Sequence, residues 1–268
     1  MLLDKIRGGL LGLATGDALG VPVEFCERSR LKKDPVTDMR GWGTHSQPPG
    51  TWSDDTGMTL AALDSLAGGF DPEDMMLCFS RWRGGEYWPY GEVFDVGIAT
   101  EQAISRYRGG IPALLCGGRG ERDNGNGSLM RIAPLAFVDA TDEEICEVSA
   151  ITHAHRTSTD TCVIFVELMR DVLSGALPSW ALQLKSAPEH EIRSGGFVRD
   201  TLKAATWCFV NTSSYEDCVL AAVNLGDDTD TTAAVAGALA GTAYGIEAIP
   251  QEWVDTLRGK ELIENCLF

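Results

Sequence analysis

Two short segments of the sequence place hydroxyl residues beside several carboxylates, each at the point where a helix is predicted to begin. One is Ser-Asp-Asp at 53–55, and the other is Asp-Asp-Thr-Asp-Thr at 227–231. One carboxylate is enough to cap a helix N-terminus, where it also interacts well with the helix dipole. Further neighbouring carboxylates repel one another, and hard divalent cations such as Mg²⁺ relieve that repulsion because they prefer carboxylate and hydroxyl oxygens. Either segment alone also fits capping or a solvated loop, whereas the two together predict a site for two metal ions.

Helices must position these segments, because the apolar residues recur mostly at helical spacing. A predicted helix begins at Asp71, which a proline follows, and another begins at Thr141, where Glu144 completes a capping box and the helix runs to position 155. A third begins at Ser213 with similar capping logic, and Pro250 opens the last predicted helix. No segment alternates with a period of two, so the sequence predicts an all-α fold of about ten or more helices.

The composition narrows the class of protein. The chain has 268 residues, of which 44% are hydrophobic, and this predicts one domain spanning 1–268. A formal net charge of −17 argues against general nucleic-acid binding and against binding to anionic membranes. Eight scattered cysteines include no C-x-x-C pair, and no segment has the features of a leader or a membrane helix. We therefore expect a soluble cytoplasmic protein with reduced thiols.

Six motifs in order resemble the ADP-ribosylglycohydrolase family, including its dinitrogenase reductase-activating branch. They are GGLLGLATGDALGVPVEF, PPGTWSDDTGMTL, FDVGIATEQAI, NGNGSLMRIAPLA, ITHAH and AAVNLGDDTDTTAAVAGALAGTAYG. The resemblance extends over roughly residues 5 to 257, and the order of the paired acidic motifs is its most specific feature. It implies a compact orthogonal bundle of helices with a cleft that holds two Mg²⁺ or Mn²⁺ ions.

The resemblance also implies a set of metal ligands. Carried over by motif position, they are Ser53, Asp54, Asp55, Asp228, Asp230 and Thr231. Asp227 stands where the family more often has glycine and is not expected to be a ligand; a glycine tolerates backbone conformations that aspartate adopts less readily.

The remaining motifs imply residues for catalysis and for ligand binding. The catalytic candidates are Glu24, Asp54, Asp55, Asp228 and Asp95. The substrate-binding candidates are Gly125, Asn126, Gly127, Ser128, Met130, His153 and His155. Taken without the motif, the Asn-Gly segment is an ordinary turn, and each histidine is as well explained by a structural role at a helix C-terminus, which favours a cation. Arg131 is expected either in a structural ion pair or at a phosphate, and Asp17 in support of the fold or the metal site.

The implied activity is removal of ADP-ribose from a modified acceptor. An arginine N-glycoside is the first expectation, and the partners would be an ADP-ribosylated protein or small molecule, with free ADP-ribose as product. Serine-linked or other ADP-ribosyl conjugates stay open as substrates, and immunity to a toxin stays open as a role. Two other classes of protein also stay open: a non-catalytic ADP-ribose binder or structural relative, and a metal phosphoesterase that would cleave the pyrophosphate instead. Two intact acidic segments favour hydrolysis, since an inactive descendant would be free to lose one of them.

Overall fold

A computed structural model describes residues 2–88, 90–91 and 93–267, and within these ranges the chain is helical with no β-sheet. Two isolated bridges, between Gly118 and His153 and between Gly125 and Phe197, are the extended pairings found there. The all-α prediction is thereby confirmed. The helices are α1 (Leu2–Gly20), α2 (Arg28–Leu31), α3 (Asp54–Ala67), α4 (Pro72–Arg83), α5 (Ile98–Arg108), α6 (Asp142–Ala150), α7 (Arg156–Ser174), α8 (Ser179–Gln183), α9 (Val198–Asn211), α10 (Tyr215–Val223), α11 (Thr229–Tyr244), α12 (Gln251–Thr256) and α13 (Lys260–Leu267).

Helices α1 and α11 pack against each other through glycine and alanine at the centre of the fold. A Cβ placed on Gly16 would collide with the carbonyl oxygen of Ala233, so the two backbones approach too closely for a larger residue. The Tyr215 hydroxyl donates to the carbonyl of Gly12 at 2.7 Å, which attaches α10 to the same pair. The close packing places the start of α11 beside the end of α1, where the Thr229 hydroxyl donates to the carbonyl of Gly20 at 2.8 Å.

Two of the predicted helix starts lie at the expected residues, and one is displaced. Asp71 accepts a hydrogen bond from the backbone of the second helical residue of α4, and Thr141 with Glu144 forms a capping box at α6. The prediction of a cap at Ser213 is wrong by one residue, because Ser214 accepts from the backbone N–H of Asp217. A serine pair followed by two acids offers two equivalent registers to a sequence pattern, and packing of the helix selects one.

One helix end and the number of helices near the C-terminus differ from the sequence prediction. Helix α6 ends at Ala150 rather than at 155, because the backbone of the next residues turns to pair with the strand-like segment at Gly118, which accepts from Ala154 at 2.8 Å. Pro250 precedes α12 as expected, but α12 is not the last helix. A left-handed turn at Gly259 (φ 62°) reverses the chain into α13, whose Ile263 is buried.

Three loops that approach the centre of the fold are joined by backbone hydrogen bonds. The N–H of Asn126 donates to the carbonyl of Gly196 at 3.0 Å, and the N–H of Val198 donates to the carbonyl of Asn124 at 3.1 Å. The N–H of Asp228 donates to the carbonyl of Ser194 at 2.9 Å. The loop before α11 is thus held against the Asn-Gly loop, although they are about a hundred residues apart in sequence.

The thiols and the helices bear on two expectations from composition. All eight cysteines are free thiols, and five of them are buried. In the part of the chain that the structure describes, none of the helices has the length and apolar character needed to cross a membrane.

Candidate active site

A cleft of about 260 Å³ opens over the N-termini of α3, α5 and α11 and brings together most of the residues predicted for the site. Those that line it are Glu24, Asp54, Asp95, Gly125, Asn126, Gly127, Met130, His153, Asp228 and Thr231. Ser53, Asp55 and Asp230 are fully buried, and hydrogen bonds connect them to the lining residues. The two acidic segments therefore meet at one end of the cleft.

Asp17, at the end of α1, satisfies the N-terminus of α3. Its carboxylate accepts from the backbone N–H of Ser53 at 2.8 Å, and from the N–H and hydroxyl of Thr56 at 3.0 and 2.6 Å. The Ser53 hydroxyl accepts from the N–H of Asp55. The carboxylates of Asp54 and Asp55 are consequently not needed as caps, so capping alone does not explain this segment.

The second acidic segment begins α11 and touches the first. Asn126 donates through its amide to Asp228 at 2.8 Å, and Asp230 accepts from the backbone N–H of Thr231 at 2.9 Å. The Thr231 hydroxyl donates to Asp55 at 3.4 Å, which links the two segments directly. Asp227 differs from its neighbours: it has a left-handed φ of 61°, its backbone pairs with the loop that follows Glu24, and it does not line the cleft.

Three carboxylate oxygens in this cluster are buried with no hydrogen-bond partner among the described residues: Asp55 Oδ1, Asp228 Oδ1 and Asp230 Oδ2. Ligand atoms of Asp17, Asp55 and Asp230 lie within 4.8 Å of one another, as do those of Glu24, Asp228 and Asp230. Buried oxygens are normally paired, and buried charges normally have an opposite charge nearby. The acidic residues therefore fit a cation, and both Asp17 oxygens are already occupied by hydrogen bonds, which makes Asp17 an orienting residue.

The raised pKa values of the buried carboxylates also indicate a site for a cation. Burial raises the pKa of Asp55 and Asp230 well above the usual range, and neighbouring carboxylates raise each of them further. Asp54 has a pKa raised well above its usual value by burial, then by the charge of Asp95. A divalent ion would counteract these shifts, because it favours the ionised carboxylates.

Glu24 lies between the acidic cluster and a histidine that sequence reasoning missed. Its carboxylate is hydrogen-bonded to His45 Nε2, and Asp95 offers an oxygen within 4.8 Å of both. Burial raises the pKa of Glu24 to about 7, with further increases from Asp95 and Asp228 and an opposing effect of the His45 hydrogen bond. The His45 ring lies against the ring of Phe94, with centroids 4.9 Å apart and planes tilted by 35°. Its Gly-Pro-rich loop has no local pattern that would have identified it.

A second wall of the cleft is formed by the Asn-Gly loop packed against His153. A Cβ on Gly127 would lie 2.9 Å from His153 Cε1, so the glycine is required for this contact. The Nδ1 atom of His153 is 2.8 Å from the Thr152 hydroxyl. Burial, then the charge of Arg131, lowers the pKa of His153 to about 3, which keeps its ring neutral. The suggestion of a cationic histidine at a helix C-terminus is therefore wrong for His153.

Two other residues are not where the sequence led us to expect them, and the assignment of a third stays a prediction. The Ser128 side chain is fully buried and hydrogen-bonded to Ser149 and Cys162, while approach of its loop backbone to the ligand stays a prediction. His155 caps the N-terminus of α7 rather than ending the preceding helix, and it does not line the cleft. Arg131 is fully buried, outside the cleft lining and without an acidic partner among the described residues, so both expectations for it are wrong.

The cleft also contains a cation that sequence reasoning passed over. Arg122 lines it beside the Asn-Gly loop, as do Ile98 and Thr100 at the start of α5. In a chain with a net charge of −17, an arginine near a glycine-rich loop is the signal that could have identified this residue as a candidate for anion binding.

Comparisons with known proteins identify the family of this chain. The family model described as ADP-ribosylglycohydrolase matches residues 1–267. "ADP-ribosylarginine hydrolase Tri1" of Pseudomonas putida (strain GB-1) is 35% identical, with 98% of this chain and 76% of the relative covered. "ADP-ribosyl-[dinitrogen reductase] glycohydrolase" of Rhodospirillum rubrum is 30% identical, with 95% and 90% covered. A solved structure named "ADP-ribosylglycohydrolase-related protein complex" superposes with a TM-score of 0.83 at 34% identity, covering 99% of this chain and 96% of its own. The chain therefore belongs to the ADP-ribosylglycohydrolase family.

Proposed function

We propose that this protein is a metal-dependent hydrolase that cleaves the N-glycosidic bond between ADP-ribose and an arginine side chain. The observation that carries the proposal is the meeting of two buried acidic segments, with three unpaired carboxylate oxygens, in a cleft whose second wall presents glycines and a neutral histidine. In the reaction, water adds hydroxide to the anomeric carbon of the ribose and a proton to the guanidino nitrogen as the C–N bond breaks. The products are ADP-ribose and unmodified arginine.

Two Mg²⁺ or Mn²⁺ ions are the proposed cofactors, and the residues that would hold them are Ser53, Asp54, Asp55, Asp228, Asp230 and Thr231. An all-oxygen donor set of carboxylates and hydroxyls favours such hard ions over softer ones. When bound, these ions would neutralise the carboxylate cluster and polarise hydroxyl and water oxygens. The unpaired oxygens of Asp55, Asp228 and Asp230 support the assignment.

The protein's own residues would orient the substrate and transfer the proton. Glu24 is our first choice to accept the proton of the attacking water at its carboxylate, since it faces the cleft between Asp228 and Asp95 and its hydrogen bond with His45 fixes its orientation. Asp95 and Asp54 would stabilise positive charge that develops on the ribose as the bond breaks. The Asn-Gly loop and His153 would hold the diphosphate on the other wall.

Arginine is the proposed acceptor for two reasons. A relative with 35% identity is named for ADP-ribosylarginine, and the relative at 30% is named for ADP-ribosyl-dinitrogen reductase. The cleft is acidic where Asp95 lies beside Glu24, and a guanidinium leaving group would be favoured there. Other ADP-ribosylated proteins or small molecules are alternatives that the first experiment separates.

The extent of the domain is a separate proposal. We infer one domain over 1–268, because α1 and α11 pack together at the centre and thus join opposite ends of the chain.

The decisive experiment incubates mono-ADP-ribosylated arginine and serine peptides with the protein in Mg²⁺, in Mn²⁺ and in EDTA, and identifies products by mass spectrometry. We expect metal-dependent release of intact ADP-ribose from the arginine peptide. Release of AMP would instead identify a phosphoesterase. Binding of ADP-ribose with no release from either peptide would overturn the hydrolase proposal in favour of a binding protein.

A further inference from the structure

Arg131 is buried without a counter-ion beside the wall of the cleft. Its side chain is fully inaccessible, its guanidinium lies 4.3 Å from the centre of the Phe79 ring, and no described carboxylate pairs with it. It donates through Nη2 to the carbonyl of Val148 at 3.2 Å and to the hydroxyl of Thr152 at 2.7 Å. Burial lowers the pKa of Arg131 only to about 10, so it remains a cation at neutral pH. A guanidinium can donate hydrogen bonds but cannot accept them.

The Thr152 hydroxyl is consequently committed as an acceptor toward Arg131. The same oxygen lies 2.8 Å from His153 Nδ1, and in the described part of the chain it has no other polar contact to which its own hydrogen could be donated. A buried hydroxyl hydrogen left without an acceptor is costly, so it points to Nδ1. Nδ1 must then be unprotonated, and in a neutral imidazole the proton resides on Nε2.

His153 lines the cleft, and Nε2 is the ring nitrogen on the side of Gly125 and Gly127, which line it as well. Nε2 lies 3.5 Å from the position of a Cβ on Gly125 and 3.3 Å from that of a Cβ on Gly127, and no hydrogen bond joins it to a described residue. The amide of Asn126, on the same loop, is already engaged by Thr201 and Asp228. His153 therefore offers an open polar donor on this wall.

We propose that Arg131 and Thr152 are positioning residues that hold His153 as the Nε2–H tautomer, so that the ring donates a hydrogen bond to an acceptor oxygen of the ligand. On the substrate class of the proposed function, on which this part of the inference rests, the matching group is a phosphate oxygen of the diphosphate. The opposite tautomer would present a lone pair to that oxygen and repel it. The buried arginine thus acts on the ligand indirectly, through the Thr152 hydroxyl and the His153 ring.

The tautomer is directly measurable by NMR of the protein labelled with ¹⁵N in its histidines. The chain has four histidines, and the resonances of His153 are assigned by their loss in His153→Gln. We expect the long-range ¹H–¹⁵N correlation pattern of the Nε2–H tautomer in the ligand-free protein. A pattern of the Nδ1–H tautomer, or rapid exchange between the two, in the wild-type protein would overturn the proposal.

Thr152→Val tests the relay because it removes the hydroxyl at nearly constant volume. We expect the Nε2–H pattern to give way to a mixture of tautomers, and ADP-ribose to bind about three- to tenfold more weakly, since a mixture loses part of the contribution of a hydrogen bond to a charged phosphate. Thr152→Ser should restore both the pattern and the affinity. Thr206→Val is the matched control, since Thr206 is equally buried but donates only within α9, to the carbonyl of Leu202.

The outcomes separate this inference from the proposed function. An unchanged tautomer in Thr152→Val, with unchanged ADP-ribose affinity by calorimetry, would show that the relay does not act. A correct tautomer response in a protein that releases no ADP-ribose from any peptide would leave the relay established and remove the hydrolase proposal alone.

Discussion

Asp55→Asn should make the metal-free protein more stable and at the same time remove its stabilisation by metal. Asp55 is fully buried, one of its carboxylate oxygens has no described partner, and Asp17 and Asp230 offer oxygens close by. An unsatisfied buried polar group costs on the order of 1–3 kcal/mol, and more when it is charged. The asparagine amide would instead donate to the neighbouring carboxylates, and the Ser53 hydroxyl would keep an acceptor.

The stability difference between Asp55→Asn and wild type in the absence of metal should depend on pH. A carboxyl whose pKa is higher in the folded than in the unfolded protein stabilises the fold at low pH, and this contribution is lost as pH rises through the folded pKa. Glu24 illustrates the magnitude: raising its pKa from 4.5 to about 7 corresponds to a loss of up to roughly 3 kcal/mol between pH 4.5 and 7. His153, with its pKa lowered from 6.5 to about 3, has the opposite effect, because its stabilisation is lost as pH falls below 6.5. Glu24 and His153 are present in both wild type and Asp55→Asn, so their contributions cancel when the two proteins are compared at the same pH.

The assay is thermal unfolding in EDTA, Mg²⁺ and Mn²⁺ across pH 4.5 to 8. Metal at a hundred times its Kd adds about 2.7 kcal/mol, or roughly 5–10 °C for a protein of this size. We expect that rise in wild type at pH 7.5 and little of it in Asp55→Asn, whose Tm in EDTA should exceed that of wild type at pH 7.5 and approach it at pH 4.5. Asp139→Asn, at an exposed aspartate, should behave as wild type. Equal Tm values for wild type and Asp55→Asn in EDTA at pH 7.5, with equal metal-induced shifts, would refute the reasoning.

Three further outcomes are expected. Asp228→Asn should lower ADP-ribose release by at least about a hundredfold with its circular dichroism unchanged, since loss even of an outer residue at a metal site costs 10–100-fold; activity within a few-fold of wild type would contradict the assignment. Gly127→Ala should weaken ADP-ribose binding roughly tenfold by calorimetry, about 1.4 kcal/mol, because the new Cβ displaces the His153 ring. Gly16→Ala should destabilise the fold by about 1–3 kcal/mol in urea unfolding, whereas Gly68→Ala, where a Cβ meets only ordinary contacts, should change stability little.

Features that depend on local sequence were predictable. The caps at Asp71 and Thr141 are interactions within three residues, so their pattern alone identifies them. The displaced cap at Ser214 shows the limit of such patterns, because adjacent serines satisfy the same rule. The acidic segments were identifiable for a related reason: helix capping needs one carboxylate, and their excess is visible without coordinates.

Features that depend on tertiary contacts were not predictable from residue types. Asp17 was expected only in general support of the fold or the metal site, and His45 was missed, because only the fold shows that Asp17 caps α3 and that His45 is hydrogen-bonded to Glu24. Arg131 is the clearest case, because an arginine beside an Asn-Gly loop suggests a phosphate contact or an ion pair. Its contact with Thr152, which gives it neither role, requires α6 to end at Ala150 and the chain to turn.

The two walls of the cleft differ in how they would interact with the negative charge of the proposed ligand. The diphosphate of an ADP-ribosyl group is anionic, and the wall that carries Asp54, Asp228 and Glu24 would repel it if those carboxylates were ionised and uncompensated. The other wall presents Arg122 and a histidine that is neutral and has a donor to offer. Divalent ions at the acidic wall would therefore serve binding as well as hydrolysis, because they convert the repulsive wall into an attractive one. Because metal would aid binding and hydrolysis alike, release of intact ADP-ribose, rather than metal-dependent binding, is the measurement that identifies the hydrolase.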